Sequence, residues 1–274
     1  MKLPLYWIDA FTDRPFAGNP AGVVPLAAWP DAALMQRMAF EHGLAETAFF
    51  VRTGAAQFAL RWFTPAVEVD LCGHATLAAA HVLFHELGQG GDAITFDTRS
   101  GALVVTRKPD GKLELDFPAL PVTAADDATF ARDSAAALGG ADIVWLGRSK
   151  FDALAELRDA AAVRALRPDL ARVAALGGRG LIVTAPGDDC DFVSRFFAPQ
   201  SGIAEDAVTG SAHCALAPFW AAKLGRPSLF ARQVSARGGE LWCQVAPSTG
   251  SGQAGDRVKI AGRSRLYLRG EITV

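Results

Sequence analysis

The stretch LCGHATLAAAHVLF, residues 71–84, sets Cys72 and His74 one glycine apart at the start of a helical pattern. A thiol and an imidazole at that spacing suit metal ligation, a base-activated nucleophile or a redox pair. They suit plain helix packing equally well. Upstream, Glu46 opens the apolar run ETAFFV (46–51). A carboxylate there is either an ordinary strand-face residue or a group that takes a proton from carbon and returns it elsewhere. That work needs one side chain able both to accept and to donate. Further along, EDAVTGSAHC (205–214) places Asp206, Gly210 and Ser211 ahead of a second helical run. Acids before a helix favour its dipole whatever the function, and Ser211 is also an ordinary first-turn serine. His81 and His85 form HxxxH, but Val82, Leu83 and Phe84 lie between them, without the glutamate of the zinc-protease motif. No third ligand is evident, so no metal site is read there. The four cysteines, Cys72, Cys190, Cys214 and Cys243, form no CxxC, which points to reduced thiols in a cytoplasmic protein.

The elements that must hold these residues occur twice. RWFTPAVEVDLCGHATLAAAHVLFHELG (61–88) is echoed by RFFAPQSGIAEDAVTGSAHCALAPFWAAKLG (195–225). Glu68 aligns with Glu205, Gly73 with Gly210, Ala75 with Ala212 and His74 with Ser211, and each copy runs an apolar helix length to a glycine, a common helix stop. Upstream, Pro-Asp opens a helical pattern at 30–31 and again at 168–169, each followed by a strand-like run, TAFFV (47–51) and LIVTA (181–185). Prolines and small residues near 118–124 mark a boundary between the halves. Alternating stretches such as 94–117 read as antiparallel hairpins. The expectation is an α+β fold of two pseudo-symmetric domains, each an antiparallel sheet wrapped around a central helix, 73–87 and 210–224. The N-terminal domain takes residues 1–120 with the last strand, 263–274, and the C-terminal domain takes 121–262.

The duplicated feature at the chemistry is a glycine opening a helix. Unpaired N–H groups and the helix dipole make such a start an anion site. Two of them facing each other would hold one small carboxylate.

Four motifs, IDAFTDRPFAGNPAGVV, AETAFFV, FTPAVEVDLCGHATLAAA and EDAVTGSAHCALAPFW, together resemble the phenazine biosynthesis-like PhzF isomerase family across nearly the whole chain. The resemblance implies a diaminopimelate epimerase-like fold, a homodimer, no metal or organic cofactor, and isomerisation of a small carboxylate such as trans-2,3-dihydro-3-hydroxyanthranilate by a proton shuttle. It makes Glu46 the acid/base group, with Gly73, His74, Asp206, Gly210 and Ser211 binding substrate. Ala207 departs from the proline many members have after the aspartate, and SARGGELW (235–242) resembles the vertebrate-type branch. Related racemases use two thiols, one from each half. Here Thr209 stands opposite Cys72, so Cys72 reads as a buried small residue. Asn19 reads as a turn residue near the cleft, and Arg237 as either a turn-stabilising residue or a carboxylate ligand.

Composition narrows the classes. With 274 residues, half of them hydrophobic, a mean hydropathy of +0.18 and a net charge of −2, the chain has a core's worth of apolar material and no basic stripe for nucleic acid. The N-terminal run, broken by Pro4 and Asp9, does not read as a signal peptide, and no stretch approaches a membrane span. Two other functions fit the residues. One is an epimerase or racemase with Glu46 and Asp206 as opposed bases. The other is a binding protein that kept the fold without the chemistry.

Overall fold

Both copies of the repeated motif fold into the same succession of elements. The computed structural model describes residues 1–247 and 254–274. They divide into one unit of residues 1–117 with 260–274 and a second of residues 118–259. In the first unit the chain forms β1 (Lys2–Ala10), β2 (Asn19–Leu26), α1 (Ala32–His42), β3 (Glu46–Arg52), β4 (Gln57–Phe63), β5 (Glu68–Val69), α2 (Gly73–His81), β6 (Ala93–Thr98), β7 (Gly101–Arg107) and β8 (Leu113–Pro118). The second unit contains β9 (Thr123–Ala124), α3 (Ala128–Ala137), β10 (Ile143–Arg148), β11 (Asp152–Leu157), α4 (Ala160–Ala165), α5 (Leu170–Ala175), β12 (Gly180–Pro186), β13 (Phe192–Ala198), β14 (Ile203–Asp206), α6 (Gly210–Leu224), β15 (Ser228–Gln233) and β16 (Gly239–Pro247). The chain then returns along β17 (Ala254–Gly262), and β18 (Ser264–Thr273) completes the first unit by pairing antiparallel with β1.

The sheets are mixed rather than wholly antiparallel. β2–β3 and β4–β6 pair parallel in the first unit, as do β11–β12 and β13–β15 in the second. Parallel neighbours require a crossover connection, and the helices supply it: α1, α2, α4 with α5, and α6 lie on those four connections. The repeat is kept down to register. Thr47 pairs with Phe63 and its counterpart Leu181 pairs with Phe197.

The α+β expectation, with a helix against each sheet, holds. On β3 the side chains alternate. Phe49 joins Met35 and Met38 of α1, Val24 and Phe63 in one apolar cluster. Glu46, Ala48 and Phe50 therefore point to the opposite face, where α2 lies, and every residue from His74 to His81 on that helix is buried. In the second unit, Leu181, Val183 and Phe197 of β12 and β13 form a core with Val163 and Val173 of α4 and α5.

Four of the helices start alike. Asp31, Asp127, Asp159 and Asp169 accept hydrogen bonds from first-turn amides of α1, α3, α4 and α5, as N-caps do. The two long buried helices do not: neither Cys72 nor Thr209 caps its helix with its side chain. At their far ends the copies differ. α6 runs its full length to Gly225 in the left-handed conformation. α2 instead ends in a π-helical turn, Val82–Glu86, where Leu87 N–H donates to Val82 O, before Gly88 at φ 65°. The expected helix 73–87 is thus an α-helix with a wider last turn, accompanied by His81 and His85 rings 4.8 Å apart. α6 also carries Pro218 in its interior. Proline has no N–H, which orphans the carbonyl four residues back. That carbonyl, on Cys214, accepts instead from Leu120 N–H at 2.9 Å.

The second unit holds a pH-sensitive group on the same helix. His213 is fully buried, its Nδ1 is 2.8 Å from Thr209 O, and its Nε2 has no hydrogen-bond partner. Burial pushes its pKa down to about 4. In the unfolded chain it lies near 6.5, so the unfolded state binds the extra proton first. The stability His213 contributes is complete above about pH 6.5 and is lost as the pH falls towards 4. Urea midpoints measured across that window are expected to decline with acidification, and to decline less steeply in His213→Leu. An unchanged slope in the variant would show that His213 is not responsible.

Candidate active site

β2 and β3 run side by side with Ala21 opposite Glu46. Asn19, at the start of β2, and Glu46, at the start of β3, therefore come to the same end of the sheet. α2 begins at that end and presents its second residue, His74, to both. His74 Nε2 lies 3.1 Å from Glu46 Oε2. The Asn19 side-chain amide lies 3.2 Å from His74 Nδ1, and Cys72 Sγ lies 3.5 Å from the same nitrogen. All four residues are buried.

The Glu46–His74 contact is close but off-line, so neither Glu46 Oε2 nor His74 Nε2 makes a hydrogen bond of good geometry. Burial opposes a charged His74, but Cys72 and Glu46 beside it outweigh burial and hold its pKa well above the usual value. The Cys72 thiol is likewise pushed up, first by burial and then by the Glu46 charge. Cys72 is thus a buried thiol, as its sequence context suggests, yet it touches the imidazole. A carboxamide offers both a donor and an acceptor, so Asn19 can serve either protonation state of the ring. A carboxylate, an imidazole and an amide packed this way can hold a proton and pass it over a short distance without solvent.

The second unit gathers Asp206, Gly210 and Ser211 by a different network. Thr209 Oγ1 donates to Asp206 Oδ2 at 2.6 Å. The buried carboxamide of Gln233 accepts from Thr209 N–H at 2.8 Å and donates to Asp206 O at 2.7 Å and to Thr209 Oγ1 at 3.2 Å. Gln233 ends β15, so the sheet fixes the turn that carries Asp206 into α6. Gly210 and Ser211 are the first two residues of that helix. Ser235 Oγ donates to Ala207 O at 2.7 Å and accepts from Gly238 N–H at 3.1 Å, which ties the turn carrying Arg237 to the same segment.

Glu205 does not cap α6. Arg195 of β13 grips both its carboxylate oxygens, at 2.7 and 2.8 Å. Arg61 of β4 grips Glu68 the same way, at 2.7 and 2.7 Å. The aligned glutamates are therefore structural clamps.

Among the described residues, one group of three His, Cys and acidic side chains has donors close enough to hold a metal ion: Glu46, Cys72 and His74, within 4.8 Å of one another. The HxxxH histidines do not belong to it. His81 Nδ1 pairs with Ser264 Oγ at 2.8 Å. Its pKa falls to about 3, through burial first and then the charge of His85 and Arg265. A surface cleft of about 570 Å³ beside them is lined by Asp13, Glu86, Arg263 and Arg265 among others, and lacks the Glu46 cluster.

Three of these residues escaped a functional reading of the sequence. Asn19 sits in a GNPAG turn pattern, Cys72 passed for helix packing, and Gln233 ends a strand with nothing local to mark it. Thr209 alone carried a signal, as the repeat partner of Cys72.

No helix among the described residues is long and apolar enough to cross a membrane. Comparison with known proteins matches the phenazine biosynthesis-like protein family to residues 8–270. The chain is 52% identical over 272 residues to an uncharacterized isomerase of Pseudomonas aeruginosa, covering 99% of each chain. A crystal structure of a PhzF-family phenazine biosynthesis protein from Enterococcus faecalis superposes with a TM-score of 0.92 at 42% identity, covering 100% of both chains. A predicted epimerase of Pseudomonas aeruginosa, at 24% identity and a TM-score of 0.74 over 99% of each chain, is alike in fold. With the family match spanning nearly the whole chain and the epimerase-type fold in both units, the protein belongs to the phenazine biosynthesis-like PhzC/PhzF family.

Proposed function

We propose that this protein is a cofactor-independent isomerase that moves a proton between carbons of a small carboxylated metabolite, cyclic or unsaturated, of the trans-2,3-dihydro-3-hydroxyanthranilate type. The observation that carries this reading is the buried contact of Glu46 with His74 at the uncapped start of α2. A carboxylate out of solvent, backed by an imidazole whose pKa is raised, suits a group that accepts a proton from carbon and hands it back. Gly73 lets a substrate oxygen approach the free amides of the first turn.

In the same reading Asp206, Gly210 and Ser211 act on the same substrate, with Asp206 oriented by Thr209 and Gln233. The naming of the Pseudomonas relative as an isomerase supports it. Homodimer formation and a cytoplasmic setting belong to the proposal as well.

The test is exchange. Candidate cyclic carboxylates incubated with the protein in deuterated water are expected to gain deuterium at the carbon that receives the proton, followed by NMR. No incorporation into any compound of this class would overturn the reading. Loss of optical activity without a shift of the double bond would assign an epimerase instead.

A further inference from the structure

The geometry points to a second use of the Glu46 cluster: a site for one zinc-type divalent ion, which blocks proton transfer while bound. The inhibitory half rests on the reading of Glu46 as proton carrier; the binding half does not.

One carboxylate oxygen, one imidazole nitrogen and one sulfur lie within 4.8 Å of one another, all on buried side chains. Zinc takes such O, N and S donors at about 2.0–2.3 Å, which in a tetrahedral arrangement sets neighbouring donors roughly 3.3–3.8 Å apart. Cys72 Sγ to His74 Nδ1, at 3.5 Å, falls in that range, and His74 Nε2 to Glu46 Oε2, at 3.1 Å, falls just short of it. One ring nitrogen serves the ion: with Nδ1 the Cys72 sulfur is already in range, and a Glu46 carboxylate oxygen, within 4.8 Å of that sulfur, closes in by about an ångström through side-chain rotation.

Glu46 Oε2 is buried without a hydrogen-bond partner and is available to the ion, while ligation through His74 Nδ1 displaces the Asn19 side-chain amide that lies 3.2 Å from it. Three protein ligands leave a fourth position for water or a substrate carboxylate. The thiolate donor selects zinc or cobalt over magnesium and calcium.

Two features limit the affinity. The positive end of the α2 dipole opposes a cation, and the buried thiol must release its proton to solvent as the sulfur–metal bond forms. Dissociation constants are accordingly expected in the micromolar range, on the order of a thousandfold weaker than those of structural zinc sites. Once the ion is bound, the Glu46 carboxylate shares its charge with the metal and is a weaker base, and His74 has given up one nitrogen.

The experiment titrates the reduced full-length protein with Co²⁺ and records absorption. One equivalent is expected to produce a thiolate-to-cobalt charge-transfer band together with tetrahedral ligand-field bands, and Zn²⁺ is expected to abolish both. Cys72→Ser is expected to remove the charge-transfer band and weaken binding at least tenfold, while Cys190→Ser leaves both unchanged. Glu46→Gln is expected to keep the band and weaken binding, so the site is tested even if the serine variant does not fold. A band that survives Cys72→Ser in a folded protein, or no band at millimolar cobalt, overturns the site. Deuterium exchange that continues at full Zn²⁺ occupancy overturns the inhibition. A protein that binds cobalt through Cys72 yet turns over no candidate substrate would count against the isomerase reading and leave the metal site standing.

Discussion

Glu46→Gln is expected to leave the protein folded and to slow carbon–proton exchange by about 10²–10⁴-fold, the usual contribution of a positioned acid/base group. The substitution is nearly isosteric. It keeps a side chain of the same length at the start of β3, in the packing that Ala48 and Phe50 share with it on the α2 face. It removes the charge and the exchangeable carboxyl proton. His74 remains, held by Asn19, but it has no partner with which to pass a proton.

Binding should survive, because the amides at the start of α2 do not depend on Glu46. The loss should therefore appear in kcat more than in KM. Exchange rates by NMR, with thermal unfolding as a check on folding, decide the matter. A variant within a few-fold of wild type would remove Glu46 from the chemistry.

Arg195→Ala is expected to be the most damaging single change to stability, at about 3–5 kcal/mol. One guanidinium, 10% exposed in its side chain, makes a two-pronged bond to Glu205. It also donates to Val163 O at 3.2 Å and Leu166 O at 2.9 Å at the end of α4. Removing it strands the Glu205 carboxylate and takes one donor from each carbonyl, leaving Val163 O with Leu166 N–H and Leu166 O with Arg167 Nη1.

The repeat provides an internal control. Arg61→Ala removes the matching grip on Glu68, but Arg99 Nη2 still sits 2.7 Å from Glu68 Oε2, so the expected loss is smaller, about 1–2 kcal/mol. Urea unfolding of the two variants side by side gives the comparison. An Arg195→Ala cost below that of Arg61→Ala would mean the clamp is not what holds β14 and α4 against β13.

The sequence carried more of the scaffold than of the site. Pro-Asp at two places foretold α1 and α5 because an aspartate N-cap is a local device, complete within four residues. The repeated Arg and Glu were visible in the alignment, although their joining into a clamp was not. The strand sense was not visible either. Alternation marks a half-buried strand and says nothing about its neighbour's direction, so the parallel pairs β2–β3 and β4–β6 and their repeat counterparts went unread.

At the site, Glu46, Gly73 and His74 were found through motif resemblance, and the structure brings them together. Asn19 meets His74 across 55 residues of chain, and Gln233 meets Thr209 across 24. Contacts of that span leave no trace in either partner's surroundings. In both cases the residue joins its neighbour only because the end of a strand is laid against the start of a helix, which is a property of the fold.

The last strand has a consequence for how the protein is made. β18 closes the first unit on β1, so that unit still lacks a strand until the ribosome has passed residues 264–273. The second unit, residues 118–259, is all synthesised before then. Domains in a growing chain usually mature from the N-terminus onward. Here the order inverts, and the later segment can finish first. Until then β1 waits as an unpaired edge of the kind that invites pairing with another chain. A pause in translation at any point between β1 and residue 264 would prolong that state.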